Sequence, residues 1–474
     1  MTCVIKLGSH IFKKADIESF ARASGDFNPM HVNPVFARRL ITGGQTVHGM
    51  YTLLFALDLY YQAHSHTPNQ IKVFLQKPIL EGELIEFFCE AHTGETHITA
   101  RNKYGQVASI LLLGKGGINT TPIKCKRPEK KVVRNYSFSD IKGMRGTLSI
   151  MAAGEDLDRK FPFAKRMLGA HVVATIMAFS RLVGMSMPGL HSIFTGLDMK
   201  FGIQYSNPLS WKVLRHISPK VPIKISLEAQ GFYAEINSFI RPAPVRQATM
   251  REVKKVIEPS AFVAQRALIV GGSRGLGELV AKCVALGGGE VHITYNKGKN
   301  DAYKVQRAIN RLGGLCKRSI LDVNEIDSIG SIGSLLKSFQ PTHIYYFPSP
   351  SIRNNINSYN TALFDEYYSV YVTAFRRLVD AASANIQHSF SVFYPSTIFI
   401  EEDKKGFAEY INAKIAGEQE AELLEAEYSR AHIIIKRLPP LKTDQTASLT
   451  AGEAEPPLEV ISNLLFEMKR LSHE

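Results

Sequence analysis

The run Ala267-Leu-Ile-Val-Gly-Gly-Ser-Arg-Gly-Leu-Gly277 constrains the fold of this chain more than any other stretch. Its apolar start reads as a buried strand, its glycines as a tight turn, and the residues from Glu278 to Ala285 behind them as a helix. A strand that enters a glycine turn and leaves as a helix belongs to an alternating β/α chain built on a parallel sheet. The downstream pattern agrees. Val291-His-Ile-Thr-Tyr, Thr342-His-Ile-Tyr-Tyr-Phe, Phe390-Ser-Val-Phe-Tyr and His432-Ile-Ile-Ile-Lys are strand-like runs spaced widely enough for helices between them. Residues 262–474 are therefore expected to form a doubly wound α/β domain.

The pattern upstream is different. Val47-His48-Gly49-Met50 opens a long apolar helix from Tyr51 to Tyr61. Runs with strand-like alternation follow, beginning at Ile71, Leu84, Thr96 and Val107, which is a helix followed by an antiparallel meander. Pro122, Pro128 and the basic run Lys124-Cys-Lys-Arg-Pro-Glu-Lys-Lys131 end this block. Residues 1–121 read as one domain and 122–132 as a solvated linker. Residues 133–250 repeat the plan, with a buried helix from Gly169 to Gly184 and strand-like runs beginning at Ile193, Trp211, Ile223 and Ala234. A length of 474 residues exceeds one ordinary core and suits several domains.

Composition narrows the classes. Hydrophobic content of 45% and charged content of 21% are those of a globular protein, and no apolar run is long enough to span a bilayer. Met1-Thr-Cys-Val-Ile-Lys6 lacks the zones of a signal peptide, so a cytoplasmic location is expected. Five scattered cysteines lack the Cys-x-x-Cys spacing of a zinc site and show no disulfide framework, and no metal is expected. The net charge of +14 attracts anions, but no nucleic-acid motif accompanies it.

Ser24-Gly-Asp26-Phe-Asn28-Pro-Met-His31 places a carboxylate and an imidazole five positions apart across an Asn-Pro turn, with an amide between them. These types make ordinary turns, and they are also the equipment for moving a proton through a bound water. The string and the His-Gly-Met helix entry behind it resemble, in order and spacing, the MaoC-like (R)-specific enoyl-thioester hydratases, the hydratase-2 hot dog proteins. The resemblance implies that Asp26 and His31 activate the water and move the proton, that Asn28 orients the carboxylate or the water, and that the Gly49 N–H meets the thioester oxygen. The last role suits a helix start, whose N–H groups lack intrahelical partners at the positive end of the dipole. Residues 133–250, which lack the string, are then a second, degenerate half of a double hot dog, an α+β arrangement followed by the α/β Rossmann domain.

Residues 266–474 resemble the short-chain dehydrogenase/reductase family through the glycine turn and Tyr410-Ile-Asn-Ala-Lys414, whose tyrosine and lysine lie one helical turn apart on one face. The resemblance implies a Tyr410 proton donor, a Lys414 that lowers its pKa and holds the nicotinamide ribose, and a strand-borne hydroxyl from Ser396, with Thr397 at the commoner spacing. It assigns the cofactor to Gly271, Ser273, Arg274, Gly275 and Gly277, with Asp322 and Val323 beside adenine. Arg274 and Lys297 favour the 2′-phosphate of NADP(H), with NAD(H) as the alternative. The chain departs from the family at Val270, at Phe347-Pro-Ser-Pro350, at Tyr371 in place of the relay asparagine, and at Pro439-Pro440.

A hydratase and a ketoreductase share the 3-hydroxyacyl thioester. The expected function is therefore a bifunctional enzyme: (R)-specific enoyl hydratase/dehydratase and NADPH-dependent 3-ketoacyl reductase. The expected substrates are acyl-CoA or acyl carrier protein thioesters, and a dimer is expected. The alternatives are a carbonyl reductase acting on a non-thioester, or a hydratase with a non-catalytic reductase-fold scaffold.

Overall fold

The computed structural model describes residues 4–326, 332–355, 358–447 and 454–471. The chain divides into two units, with the boundary between Ala243 and Pro244.

The first unit is built on one ten-stranded antiparallel sheet. Its strands are β1 Val4–Ile11, β2 Gln70–Leu75, β3 Leu84–His92, β4 Glu95–Asn102 and β5 Gly105–Leu113, then β6 Arg145–Leu148, β7 Ser192–Phe201, β8 Leu209–Arg215, β9 Ile223–Ala229 and β10 Phe232–Ile240. The sheet order is β1-β3-β4-β5-β2-β7-β10-β9-β8-β6. Numbered from its own start, each set of five strands has the same order. The two sets meet where β2 pairs with β7, Val73 opposite Leu197.

One face of this sheet is apolar by strict alternation, as in β4, where Thr96, Ile98 and Ala100 are buried and their neighbours are not. Against it lie the helices Gly49–Tyr61 and Ala170–Arg181, which touch each other. Both are apolar around nearly their whole circumference, as expected of helices inside a core. No single described helix is long and apolar enough to cross a membrane. The adjoining helical segments Pro162–Leu168 and Ala170–Ser186 reach that length only together, across a 115° bend.

Two features depart from the sequence reading. Strands β1 and β6 had no expected counterpart, because β1 is mostly exposed and β6 is a four-residue edge. Residues 122–132, expected to be a solvated linker, are exposed at most positions and also anchored at several. Arg127 pairs with the buried Asp156 through Nε (2.7 Å) and Nη2 (3.1 Å), and Lys130 lies over the Phe27 ring at 5.1 Å. Pro128 packs so closely on Gly25 that a Cβ there would meet the Pro128 Cβ at 2.7 Å.

The second unit carries six parallel strands: β11 Arg266–Val270, β12 Glu290–Tyr295, β13 Leu315–Ile320, β14 His343–Tyr346, β15 Phe390–Thr397 and β16 Ala431–Leu438. Their order, β13-β12-β11-β14-β15-β16, is that of a doubly wound dinucleotide-binding sheet. The strand order reverses between β11 and β14, whose carboxyl ends carry the glycine turn and the Phe347-Pro-Ser-Pro350 segment. The helix Gly275–Leu286 follows β11, and the helix Ala408–Glu427, with Tyr410 and Lys414, follows β15.

Candidate active sites

In the first unit the helix Lys14–Ser24 ends on Gly25, which takes the left-handed conformation (φ 78°) that lets the chain reverse into the motif. Asn28 then caps the short helix Pro29–Val32, its Oδ1 accepting from the Met30 N–H at 3.1 Å. Its Nδ2 donates to the carbonyls of Gly184 (2.7 Å) and Gly189 (3.2 Å) from the second half. Asn28 thus ties the motif loop to that half, rather than presenting its amide to the carboxylate. Its backbone N–H is what reaches Asp26, donating to Oδ1 at 3.2 Å.

Asp26 is 2% exposed. Ser180, from the helix Ala170–Arg181, donates to its Oδ2 at 2.6 Å. Burial pushes the carboxyl above the usual range, and the neighbouring His31, the Ser180 hydroxyl, the Asn28 N–H and the Arg181 guanidinium pull it back. Below Ser180 the helix widens into a π turn, Leu182–Ser186, that brings Gly184 against the carboxylate. A Cβ on Gly184 would stand 2.2 Å from Oδ1, so only glycine fits.

His31 Nδ1 lies 2.7 Å from the Thr46 carbonyl oxygen, which can only accept, so Nδ1 carries the proton and Nε2 is left with its lone pair. Burial holds the ring below the ordinary imidazole pKa, against the pull of Asp26. His48 stacks on it, ring centroids 3.8 Å apart and planes 25° from parallel, and its Nε2 donates to the Asp26 carbonyl oxygen at 3.0 Å. One ligand atom from each of Asp26, His31 and His48 falls within a 4.8 Å cluster. Lone pairs lie in the ring plane, so two nearly parallel stacked rings do not converge on one ion. The arrangement sets an imidazole with a free ring nitrogen beside a buried carboxylate.

Gly49 follows His48 as the first residue of its helix. The Tyr51 and Thr52 N–H groups turn back to the His48 carbonyl, whereas the Gly49 N–H precedes the first intrahelical bond. A Cβ there would stand 2.2 Å from the Leu75 Cδ1.

In the second unit the glycine turn has the shape a phosphate needs. Gly271 (φ 82°) and Gly275 (φ 60°) are left-handed, and a Cβ on Gly277 would stand 2.5 Å from the Gly271 carbonyl oxygen. Ser273 is half-buried in the turn. Arg274 caps the helix Gly275–Leu286 and lies 3.8 Å from the Asp444 carboxylate. Lys297 is exposed beyond β12. Asp322 accepts from the Asn324 N–H (3.1 Å) and from Asn296 Nδ2 (2.7 Å), which fixes the turn that carries the buried Val323.

Beyond β15, whose carboxyl end lies on the same edge of this parallel sheet as the glycine turn, Tyr410 and Lys414 are both buried. The Thr397 hydroxyl, which also accepts from the Phe399 N–H at 3.3 Å, pulls the Tyr410 phenol down against its burial, and the Ser396 hydroxyl, one residue earlier and so on the opposite strand face, is buried without a hydrogen-bond partner among the described residues. Of the two hydroxyls it is Thr397 that acts on the Tyr410 phenol. Burial raises the phenol to about 12 and lowers the Lys414 ammonium to about 7. Lys414 Nζ donates to the Pro395 carbonyl at 2.6 Å and sits 3.9 Å above the Tyr371 ring. The Tyr371 carbonyl accepts from Tyr394 (3.1 Å), and its phenol pairs with Ser349 (2.6 Å). The glycine turn, Tyr410 and Thr397 fit a nicotinamide dinucleotide. Lys414, as placed, is committed to strand and rings.

Ser180, Arg181, Gly184 and His48 form the surroundings of Asp26; the first three were not singled out from the sequence, and His48 was read only as part of the helix entry. A serine on an otherwise apolar buried helix face is the signal that could have drawn attention to Ser180.

Comparison with known proteins places a MaoC-like domain at residues 5–107. No curated protein matches the chain. Similar solved structures include a FolM alternative dihydrofolate reductase 1 from Brucella canis complexed with NADP, at 15% identity over 45% of this chain and 91% of that one (TM-score 0.38). Another is a short chain dehydrogenase from Burkholderia cenocepacia in complex with NADP, at 19% identity over 44% and 91% (TM-score 0.39). A third is a short chain dehydrogenase from Mycobacterium smegmatis, at 15% identity over 44% and 88% (TM-score 0.37).

Proposed function

We propose that the first unit is a double hot dog and an (R)-specific enoyl-thioester hydratase/dehydratase, and that the second is an NADPH-dependent 3-ketoacyl reductase. The observation that carries the hydratase reading is the buried Asp26 carboxylate beside a His31 whose free Nε2 faces away from its Thr46 bond. A water held between the two attacks C3 of the enoyl thioester. Its proton passes to the base, a C–O bond forms, and the electron pair moves through C2 to the thioester oxygen. The Gly49 N–H stabilises that oxygen where charge develops, and C2 is then protonated from the same pair of residues. Dehydration reverses these steps. The acyl carrier is coenzyme A or an acyl carrier protein, and either anion suits a chain of net charge +14.

In the second unit Gly271, Ser273, Gly275 and Gly277 would hold the dinucleotide phosphates at the helix start. Arg274 and Lys297 would meet the 2′-phosphate. NADPH supplies a hydride when bound. Tyr410 gives its proton to the carbonyl oxygen, and Thr397 holds that oxygen in place.

The test is loss of crotonyl-thioester absorbance in the purified full chain, with Asp26→Asn and His31→Ala as controls, followed by NADPH consumption with an acetoacetyl thioester and Tyr410→Phe. Hydration lost in both first variants supports the hydratase, and no hydration of any acyl thioester sinks it. A second reading keeps the hydratase but makes the second unit a scaffold. It is favoured by Lys414, which is held by Pro395 and Tyr371. Failure of NADPH to bind in a fluorescence titration would decide for it.

A further inference from the structure

The charges around the first site do not balance. Asp26 has a cation of its own in Arg181, whose guanidinium donates to the carbonyls of Ser24 (3.2 Å) and Ser149 (2.7 Å) and whose charge stabilises the carboxylate. A second guanidinium, Arg241, follows β10 directly and is 6% exposed. Among the described residues no carboxylate lies within ion-pair distance of it. Its partners are neutral: His191 Nδ1 at 3.2 Å from Nη1, the Leu190 carbonyl at 3.1 Å from Nη2, and the Phe36 ring beneath it at 5.6 Å. Its Nε, also buried, has no partner.

Arg241 belongs to the site by contact. The Leu190 carbonyl that accepts from it also accepts from Asn28 Nδ2 (3.4 Å), so one oxygen separates the guanidinium from the motif. The charge is close enough to lower His31, and burial leaves Arg241 a pKa of about 10, so it stays protonated at neutral pH. A buried cation without a counter-charge costs stability. That cost is recovered when a ligand brings an anion to a planar donor fork. The phosphates of an acyl carrier lie a whole pantetheine arm from the reacting carbons. An anion that meets Arg241 beside Asn28 must therefore be on the acyl group itself.

We propose that Arg241 binds a carboxylate on the acyl portion of the substrate, so that the first site prefers short 2-enoyl thioesters of dicarboxylic acids. This rests on the hydratase reading above.

The test compares two coenzyme A thioesters of similar shape, 4-carboxybut-2-enoyl and pent-2-enoyl, in wild type, Arg241→Gln and Arg241→Lys. Their saturated counterparts, 4-carboxybutanoyl and pentanoyl thioesters, are titrated calorimetrically as non-reacting ligands. Wild type is expected to prefer the carboxylate in kcat/KM and in binding by about 10- to 100-fold, the range of a charge-assisted pair. Arg241→Gln is expected to erase that ratio, and Arg241→Lys to keep part of it. Equal handling of both thioesters by wild type would overturn the proposal. So would an Arg241→Gln variant that lowers both by one factor along with its Tm, since Arg241 would then only clamp the loop at Leu190 and His191. If neither enoyl thioester is hydrated, the hydratase reading falls, and the binding ratio alone decides about Arg241. If Arg241→Gln does not fold, the wild-type ratio and Arg241→Lys decide.

Discussion

Removing the Ser180 hydroxyl tests whether the half without the motif is part of the catalytic site. In Ser180→Ala the Asp26 carboxylate keeps its Asn28 N–H bond and loses the 2.6 Å bond to Oδ2. A hydrogen bond to a charged, buried acceptor contributes about 1.5–3 kcal/mol. If hydration requires ionised Asp26, that loss lowers kcat/KM for an enoyl thioester by roughly 10- to 150-fold. The direction with pH also follows. Burial raises the Asp26 pKa and Ser180 lowers it, so without the hydroxyl the carboxyl ionises at higher pH. The acid limb of the kcat/KM profile should move to higher pH in Ser180→Ala and return in Ser180→Thr. The assay is loss of enoyl-thioester absorbance across a pH series at constant ionic strength. A Ser180→Ala profile that superimposes on wild type would refute the reasoning, and so would a uniform drop with an unmoved acid limb.

Gly184→Ala should be far worse than its size suggests, because its Cβ would stand 2.2 Å from Asp26 Oδ1. We expect a loss of about 1–3 kcal/mol by denaturant unfolding together with lost hydration, whereas Gly154→Ala, with nothing within 4 Å of its Cβ, should be near neutral in both. Asp26→Asn should destroy hydration yet stabilise the fold at neutral pH. Because the folded Asp26 pKa is raised, its contribution to stability is full below the ordinary carboxylate pKa and is lost as pH rises through the folded value, a loss asparagine does not suffer. The Tm advantage of Asp26→Asn should therefore grow with pH and vanish in acid, at about 2–4 °C per kcal/mol. In the second unit, Thr397→Ala should slow carbonyl reduction by one to two orders of magnitude, and Ser396→Ala should leave it within a few-fold, measured as NADPH oxidation.

Both sheets were legible where burial imposes a period. The runs starting at Ile71, Leu84, Thr96, Val107, Ile193, Trp211 and Ile223 are all strands, because one face of each lies on the core and the side chains alternate. The helix opened by Gly49 was legible for the opposite reason, since its whole surface is buried. What escaped lacked that imprint. β13, Leu315-Cys-Lys-Arg-Ser-Ile320, is an edge strand with few buried positions, and its basic residues hide the pattern. The motif itself was readable because Asp26, Asn28 and His31 lie within six residues. Ser180, Gly184 and Arg241 lie at least 154 positions from Asp26, and no local spacing in a single sequence encodes a contact made by folding. The choice between Ser396 and Thr397 was open for a simpler reason, because adjacent strand residues face opposite ways and the sheet's facing was unknown.

The segment that matches the MaoC-like domain, residues 5–107, supplies the Asn28 N–H and His31 around Asp26 but stops before Ser180, Arg181 and Gly184. Pro128 holds the turn glycine, Ser180 and Arg181 hold the charge, and the Gly184 and Gly189 carbonyls hold Asn28. Transplanted alone, that piece would carry the motif without the Ser180 hydroxyl and the Arg181 charge that act on Asp26. In this chain the motif is not a portable module. The half that repeats the strand order without the string supplies Ser180, Arg181 and the Gly184 and Gly189 carbonyls to the other half, so the motif's surroundings are assembled from both halves and the strap between them.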